Sequence, residues 1–190
     1  MKWEDLHNGN IKLQCGDIGF SRGAGTFGKI IRWATAGKVN HTIGITCELA
    51  GNDYNITEAL SRVVERSIYN YEGKGKELVI FRNRGLFLNE QKRLVSSVRK
   101  KIGIFYSPFR IVTQFIDKMI GKVIRRDVDL FDRLVTFPWT TICSTLWAEA
   151  YQSIGISFGE DGESADPEEM FDWCSTHPEL WKMIFVTDGF

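Results

Sequence analysis

The sequence predicts an α+β fold in which an antiparallel β-sheet packs against helices. Runs with strand-like alternation or compact apolar character lie in the first half of the chain, at His41–Leu49, Tyr54–Leu60 and Glu77–Arg82. Apolar residues at helical spacing follow, at Asn89–Gly103 and Thr141–Gly155. The 190 residues are 43% hydrophobic and 13% aromatic, which is sufficient for one core, so we expect residues 1–190 to form a single domain.

The charges exclude some functions. The 24 basic and 24 acidic residues cancel, so no overall field favours nucleic acid as a partner. The N-terminus lacks a signal-like apolar core and no run reaches membrane-spanning length, which predicts a cytoplasmic protein without a transmembrane segment. The four cysteines (Cys15, Cys47, Cys143 and Cys174) show no paired spacing, so we interpret them as reduced thiols.

The first core strand is predicted to begin at Ile18, after the punctuation of Gly16 and Asp17. The following segment, residues 21–40, contains four glycines and reads as a loop and a short helix that form one wall of a cleft. Its GAGTFG stretch lacks the Gly-Lys-Ser/Thr ending of a phosphate-binding loop, so no nucleotide site is predicted.

A histidine and a glutamate stand on the apolar faces of the next two strands. His41 lies on the same strand face as Ile43 and Ile45, and Glu58 lies on the same strand face as Ile56. A carboxylate among apolar neighbours needs a partner, and an imidazole is a suitable one. The turn residues at 51–53 are off-centre for a simple hairpin, so a bulge is required to bring the pair level.

The rest of the chain is predicted to add further strands and helices to the sheet. Ser67–Tyr71 and Glu77–Arg82 are predicted strands, and Asn89 is the predicted cap of a helix whose inner stripe contains Leu94, Val95, Val98 and Ile102. Residues 111–135 read as an amphipathic helical insert, either a solvated cover or a lid. Near the C-terminus, Asp166 and Pro167 open a short helix, and WKMIFVTDGF is predicted to be an edge strand.

Cys143 is the candidate nucleophile. Ile142, Leu146, Ala150 and Ile154 recur every four residues, which predicts a helix that begins near Thr141 and stops at Gly155. The free N–H groups and the dipole of a helix N-terminus favour a thiolate. The alternative is that Cys143 is an inert core residue.

Together, Cys143, His41 and Glu58 supply a nucleophile, a base and a group that orients the base. We therefore expect the Cys143 helix to pack on the sheet face that His41 and Glu58 occupy. Asn55 or a backbone carbonyl is the alternative orienting group. Cys174 and His177 stand three residues apart without a second ligand pair, so no metal site and no cofactor are predicted.

Six short motifs, taken in order, resemble the circularly permuted branch of the NlpC/P60 papain-like superfamily, in particular the YaeF/YiiX-like permuted amidases: GDI (16–18), NHTIGI (40–45), TEA (57–59), GIFYSPF (103–109), ICSTLW (142–147) and ADPEEM (165–170). The resemblance implies a circularly permuted papain-like fold with Cys143 as nucleophile, His41 as base and Glu58 as orienting residue. It also implies a tyrosine near the reaction centre, which falls on Tyr106. We assign Tyr106, Asp17 and Ser144 to oxyanion or substrate binding, with the alternative that Asp17 is a turn residue.

The expected activity is that of a thiol amidase or peptidase, whose substrates in such a family include peptidoglycan peptides and lipid acyl groups. Two alternatives stay open. A lipid acyltransferase or thioesterase would use the same residues beside an apolar channel. A non-catalytic binding module would keep Cys143 only as a core residue.

Overall fold

The structure, a computed structural model, describes residues 2–23, 37–49, 51–73, 76–106, 140–141, 143–159, 162 and 165–190. The predicted insert at 111–135 and most of the glycine-containing segment lie outside these residues. The elements are, in chain order, α1 (Trp3–His7), β1 (Ile18–Gly23), β2 (His41–Glu48), β3 (Tyr54–Ala59), β4 (Val63–Ser67), a 3-10 helix (Ile68–Tyr71), β5 (Lys76–Asn83), α2 (Leu88–Arg99), β6 (Phe105–Tyr106), β7 (Thr140–Thr141), α3 (Cys143–Gln152), α4 (Pro167–Thr176) and β8 (Trp181–Val186).

The centre of the fold is a six-stranded antiparallel sheet with the order β4-β3-β2-β1-β5-β8. The predicted strands that begin at Ile18, His41 and Tyr54 are confirmed, as is the strand over Glu77–Arg82, and β8 lies at the sheet edge. The predicted strand Ser67–Tyr71 is wrong. β4 ends at Ser67, where the Ser67 hydroxyl accepts a hydrogen bond from the Tyr69 N–H and caps the 3-10 helix.

The two faces of the sheet carry separate cores. On one face, Ile18, Phe20 and Phe81 pack with residues of α2, α3 and α4. On the opposite face, Ile43, Ile45, Ile56, Leu78 and Ile80 pack with Leu6 of α1 and with Ile68 and Tyr71 of the 3-10 helix. The alternation of side chains along each strand produces this division, so a residue's position in its strand decides which core it joins.

Helix α3 is seated on the sheet through a glycine. A Cβ atom at Gly44 would overlap the Trp147 indole, whose Nε1 donates to the carbonyl oxygen of Thr57 at 3.0 Å. The absence of a side chain on β2 therefore lets the helix approach closely. The helix begins two residues later than predicted, because Thr140 and Thr141 form β7, which pairs in parallel with β6.

The two other predicted helices, α2 and α4, are both present, but α2 does not begin and end where the sequence predicts. Asp166 caps α4 and Pro167 is its first residue, as predicted. Helix α2 buries Leu94, Val95 and Val98, but its N-cap is Phe87 rather than Asn89. Ile102 lies beyond its end and is exposed. No helix in the described parts of the chain is both long and apolar enough to cross a membrane.

Candidate active site

The thiol of Cys143 lies at the first residue of α3 and is almost completely buried, with 3% of the residue exposed. The N–H groups of Thr42 and Ser144 and the His41 side chain lie close enough to its sulfur to act on it as donors and lower the pKa of the thiol. The Ser144 amide belongs to the first helical turn, where N–H groups have no partner within the helix. The helix N-terminus and strand β2 thus both provide donors to the sulfur.

His41, the first residue of β2, is bound on its other side by a carboxylate. Its Nε2 atom lies 2.7 Å from Oε2 of Glu58. Since Nε2 is hydrogen-bonded to Glu58, Nδ1 is the ring nitrogen that remains for the Cys143 thiol. The imidazole therefore connects the sulfur to the carboxylate, which is the geometric requirement for a base that is oriented by a third group.

Glu58 is held by several donors in a fully buried position, with 0% of the residue exposed. Its Oε2 also accepts a hydrogen bond from the Tyr71 hydroxyl at 2.6 Å, and its Oε1 is bound by Nε of Arg66. A buried carboxylate is costly unless it is paired and hydrogen-bonded, and both oxygens of Glu58 meet that condition.

The electrostatics of the site favour a thiolate and an imidazolium. Burial raises the pKa of Cys143, but His41 and the N–H groups of Thr42 and Ser144 outweigh burial, so this pKa lies below its ordinary value of 9.0. Burial lowers the pKa of His41, whereas Cys143 and Glu58 together raise it from 6.5 to about 10. Between these two pKa values the charged pair is the stable form.

The sulfur and the imidazole meet where the β2–β3 ladder ends. Gly44, the neighbour of Trp147, lies on the α3 face, while Glu58 is opposite Ile43 in register and shares the other face with it. The prediction that α3 packs on the face occupied by His41 and Glu58 is therefore wrong. The pairing of β2 with β3 stops at Ile43 and Glu58, so the Thr42 N–H is left for the sulfur, and the sulfur lies at the end of this ladder.

The bulge required by the sequence is present, between Ile45 and Cys47. It does not bring His41 and Glu58 level, because Glu58 is opposite Ile43. The two side chains nevertheless reach each other along the same face, since residues two apart in a strand point the same way. Asn55, the alternative orienting residue, is paired with Cys47 at the far end of the ladder. The side chain that contacts His41 is that of Glu58.

The other predicted site residues have different positions. Tyr106 is paired with Thr141 in the β6–β7 pair, and Thr141 lies two residues before Cys143 in the chain. Ser144 has its amide at the sulfur, whereas its Oγ is buried without a hydrogen-bond partner among the described residues. Substrate binding by either residue stays a prediction.

Asp17 does not belong to this site, and its assignment to substrate binding is corrected. Its carboxylate forms two hydrogen bonds to Arg82, of 2.8 and 2.7 Å, and a third to the Gln14 N–H. It lies beside Ile45, four residues along β2 from His41, a separation of about 13 Å at the usual rise of a strand. Asp17 is part of a buried ion pair at the opposite end of β1.

Sequence reasoning missed Arg66 and Tyr71. Tyr71 was assigned to a strand that is a 3-10 helix, and Arg66 lay just before that predicted strand. A signal did exist, because an acidic residue on an apolar strand face requires donors from a neighbouring element.

The fold and the site define a class of arrangement: an α+β sheet in which a cysteine at a helix N-terminus meets a histidine at a strand end. Among solved structures, a crystal structure of the metalloprotein yiiX from Escherichia coli O157:H7 (DUF1105) is similar to this chain. The TM-score is 0.55 at 19% identity, over 92% of this chain and 89% of that one, so the likeness concerns the fold. No family model and no curated protein matches the chain.

The name of that neighbour describes a metalloprotein. In the described residues of the present chain, no group of three or more His, Cys, Asp or Glu side chains is placed to hold a metal ion. Cys174 is buried in the core, and Nδ1 of His177 lies 2.9 Å from the backbone carbonyl oxygen of Trp173.

Proposed function

We propose that this protein is a cysteine-dependent hydrolase that cleaves amide bonds through Cys143, His41 and Glu58. The observation that supports this most directly is that the His41 imidazole contacts both the Cys143 thiol and the buried Glu58 carboxylate. A thiol, an imidazole and a buried carboxylate in series match the requirements of nucleophilic catalysis.

The reaction proceeds in two halves. The Cys143 thiolate attacks the carbonyl carbon, and the backbone N–H of Cys143 at the helix N-terminus stabilises the oxyanion. The His41 imidazolium then gives its proton to the leaving amine as the C–N bond breaks, which leaves a thioester on Cys143. In the second half, neutral His41 takes a proton from water, hydroxide attacks the thioester, and the thiolate leaves with the imidazolium restored.

Glu58 acts through His41. Its negative charge stabilises the imidazolium, and its bond to Nε2 directs Nδ1 toward the sulfur. Because Glu58 is buried and held by Arg66 and Tyr71, it has little freedom to reorient during the reaction.

The resemblance of the motifs, together with the likeness in fold, supports a place for this chain in the permuted NlpC/P60 papain-like superfamily. Peptide amides of peptidoglycan are the first substrate class that we propose. An acyl-lipid substrate, cleaved or transferred through the same thioester, is the alternative that the test must separate.

The test is intact-mass spectrometry after incubation with peptidoglycan stem-peptide fragments and, separately, with acyl-lipid mimics, followed by measurement of product release. We expect an acyl adduct on Cys143 and loss of turnover in Cys143→Ser and His41→Ala. Cys174→Ser is the matched control, since it changes a buried cysteine of another helix. Wild-type turnover in both site variants would show that the proposal is wrong.

A further inference from the structure

The Glu58 carboxylate is contacted by two groups that neither transfer a proton nor form a bond to substrate in the proposed reaction. Arg66, from β4, binds Oε1, whereas Tyr71, from the 3-10 helix, donates to the same Oε2 atom that His41 contacts. The Arg66 guanidinium also lies against the Tyr71 ring, with Cζ 5.5 Å from the ring centroid. The two residues therefore form one unit behind the carboxylate.

We propose that Arg66 and Tyr71 are positioning residues that keep Glu58 ionised and fixed in orientation, and that they thereby set the acid limit of Cys143 reactivity through His41. This inference rests on the proposed function, because it concerns the thiolate that the reaction requires. It adds two residues that neither the motifs nor the resemblance assigns.

The charge of Glu58 depends on these donors because its side chain is fully buried. A carboxylate that is 0% exposed takes up a proton readily unless donors stabilise the anion. Burial raises the pKa of Glu58, but His41, Tyr71 and Arg66 together lower it below its ordinary value of 4.5. Removal of Arg66 or of the Tyr71 hydroxyl leaves one donor fewer, so Glu58 is protonated at a higher pH.

Protonation of Glu58 is expected to reach the sulfur in two steps. Once the carboxylate is neutral, the His41 imidazolium loses the charge that stabilises it. Its proton then passes to the Cys143 thiolate, and the thiol form replaces the reactive one. The acid limb of Cys143 reactivity thus depends on how firmly Glu58 holds its negative charge.

The orientation of the Glu58 carboxylate is fixed because its two oxygens have different partners. Arg66 is on Oε1, while His41 and Tyr71 share Oε2, so rotation of the carboxylate would break all three contacts. Among the residues that the structure describes, the titratable or charged groups that face Glu58 are His41 from β2, Arg66 from β4 and Tyr71 from the 3-10 helix, with Cys143 beyond the imidazole.

The experiment measures the rate of iodoacetamide labelling at Cys143 against pH, by peptide mass spectrometry, in wild type, Arg66→Met and Tyr71→Phe. We expect the acid limb to move to higher pH by about one unit or more in both variants, since a charge or donor at this range shifts a carboxyl by that amount. Arg66→Lys retains the positive charge and should recover part of the shift. Labelling at neutral pH should change little in all three.

Two control variants test whether the effect is specific. Arg82→Met removes an arginine from another buried carboxylate, Asp17, and Tyr69→Phe removes a hydroxyl from the same 3-10 helix. Neither residue contacts Glu58, so in both variants the acid limb of Cys143 labelling should lie at the same pH as in wild type.

The inference is overturned if the limb of Tyr71→Phe and Arg66→Lys coincides with that of wild type, or if the controls shift equally. Circular dichroism identifies any variant that fails to fold, and these two milder variants then decide the result. A wild-type Cys143 with the profile of an ordinary thiol contradicts the proposed function itself, an outcome that is visible before any variant is compared.

Discussion

Nε2 of His41 lies 2.7 Å from Oε2 of Glu58, although Glu58 is paired in the sheet with Ile43 rather than with His41. The contact runs diagonally along one face, at the point where β3 leaves β2. This relationship places a buried negative charge behind the imidazole while its other nitrogen is free for the Cys143 thiol. The properties expected of the site follow from this arrangement.

Replacement of Glu58 by glutamine should reduce kcat/KM by about 10- to 1000-fold, because the amide cannot stabilise an imidazolium and can bind the ring in the wrong tautomer. The measurement is steady-state kinetics on the substrate found in the adduct experiment. Asn55→Ala is the control, since Asn55 is paired with Cys47 away from His41. Equal kinetics for Glu58→Gln and wild type would remove Glu58 from the mechanism.

The activity should have an alkaline limit near pH 10. The pKa of Cys143 is lowered, so the thiolate is present above that value, and the pKa of His41 is raised to about 10, so the imidazolium is present below it. kcat/KM should therefore be high between the two values and fall as His41 loses its proton. An alkaline limb close to 6.5, the ordinary pKa of histidine, would contradict the coupling.

Gly44→Ala should weaken both the fold and the site. The added Cβ overlaps the Trp147 indole and pushes α3 away from β2, which costs about 1–3 kcal/mol of unfolding free energy. Since Cys143 begins that helix, its labelling at neutral pH should also slow. Chemical denaturation and iodoacetamide kinetics measure the two effects. Gly85→Ala is the control, because its Cβ would meet only Asn83 at 3.5 Å.

Asp17→Asn tests the correction made by the structure. The change leaves Arg82 without its buried carboxylate and should lower the free energy of unfolding by about 3–5 kcal/mol. The pH profile of Cys143 labelling should stay that of wild type, because Asp17 lies at the other end of β1. A shifted profile would return Asp17 to the active site.

The sequence predicted the parts of the site that depend on local pattern. Alternation identified β2 and β3, and the four-residue spacing identified α3, so Cys143, His41 and Glu58 could be named before their contacts were known. The start of α3 was misplaced because Thr140 and Thr141 pair with β6, a contact between distant segments. Such pairing overrides local preference and leaves no local signal.

The sequence could not predict how these three residues meet. Strand register and the point where a ladder ends depend on tertiary contacts, so the sheet face predicted for α3 is wrong although β2 and β3 are both predicted correctly. Arg66 and Tyr71 were missed for a related reason, because a strand prediction over Ser67–Tyr71 concealed the 3-10 helix that brings the hydroxyl to Glu58.

If His41 holds Cys143 as a thiolate, removal of the imidazole must raise the pH at which Cys143 reacts. The labelling rate of Cys143 against pH in wild type and His41→Ala measures this. Cys174 is an internal reference in each sample, because burial raises the pKa of its thiol well above 9.0. We expect wild-type Cys143 to react below pH 9.0 and His41→Ala to require a pH near or above that value. Identical profiles in the two proteins would contradict the account.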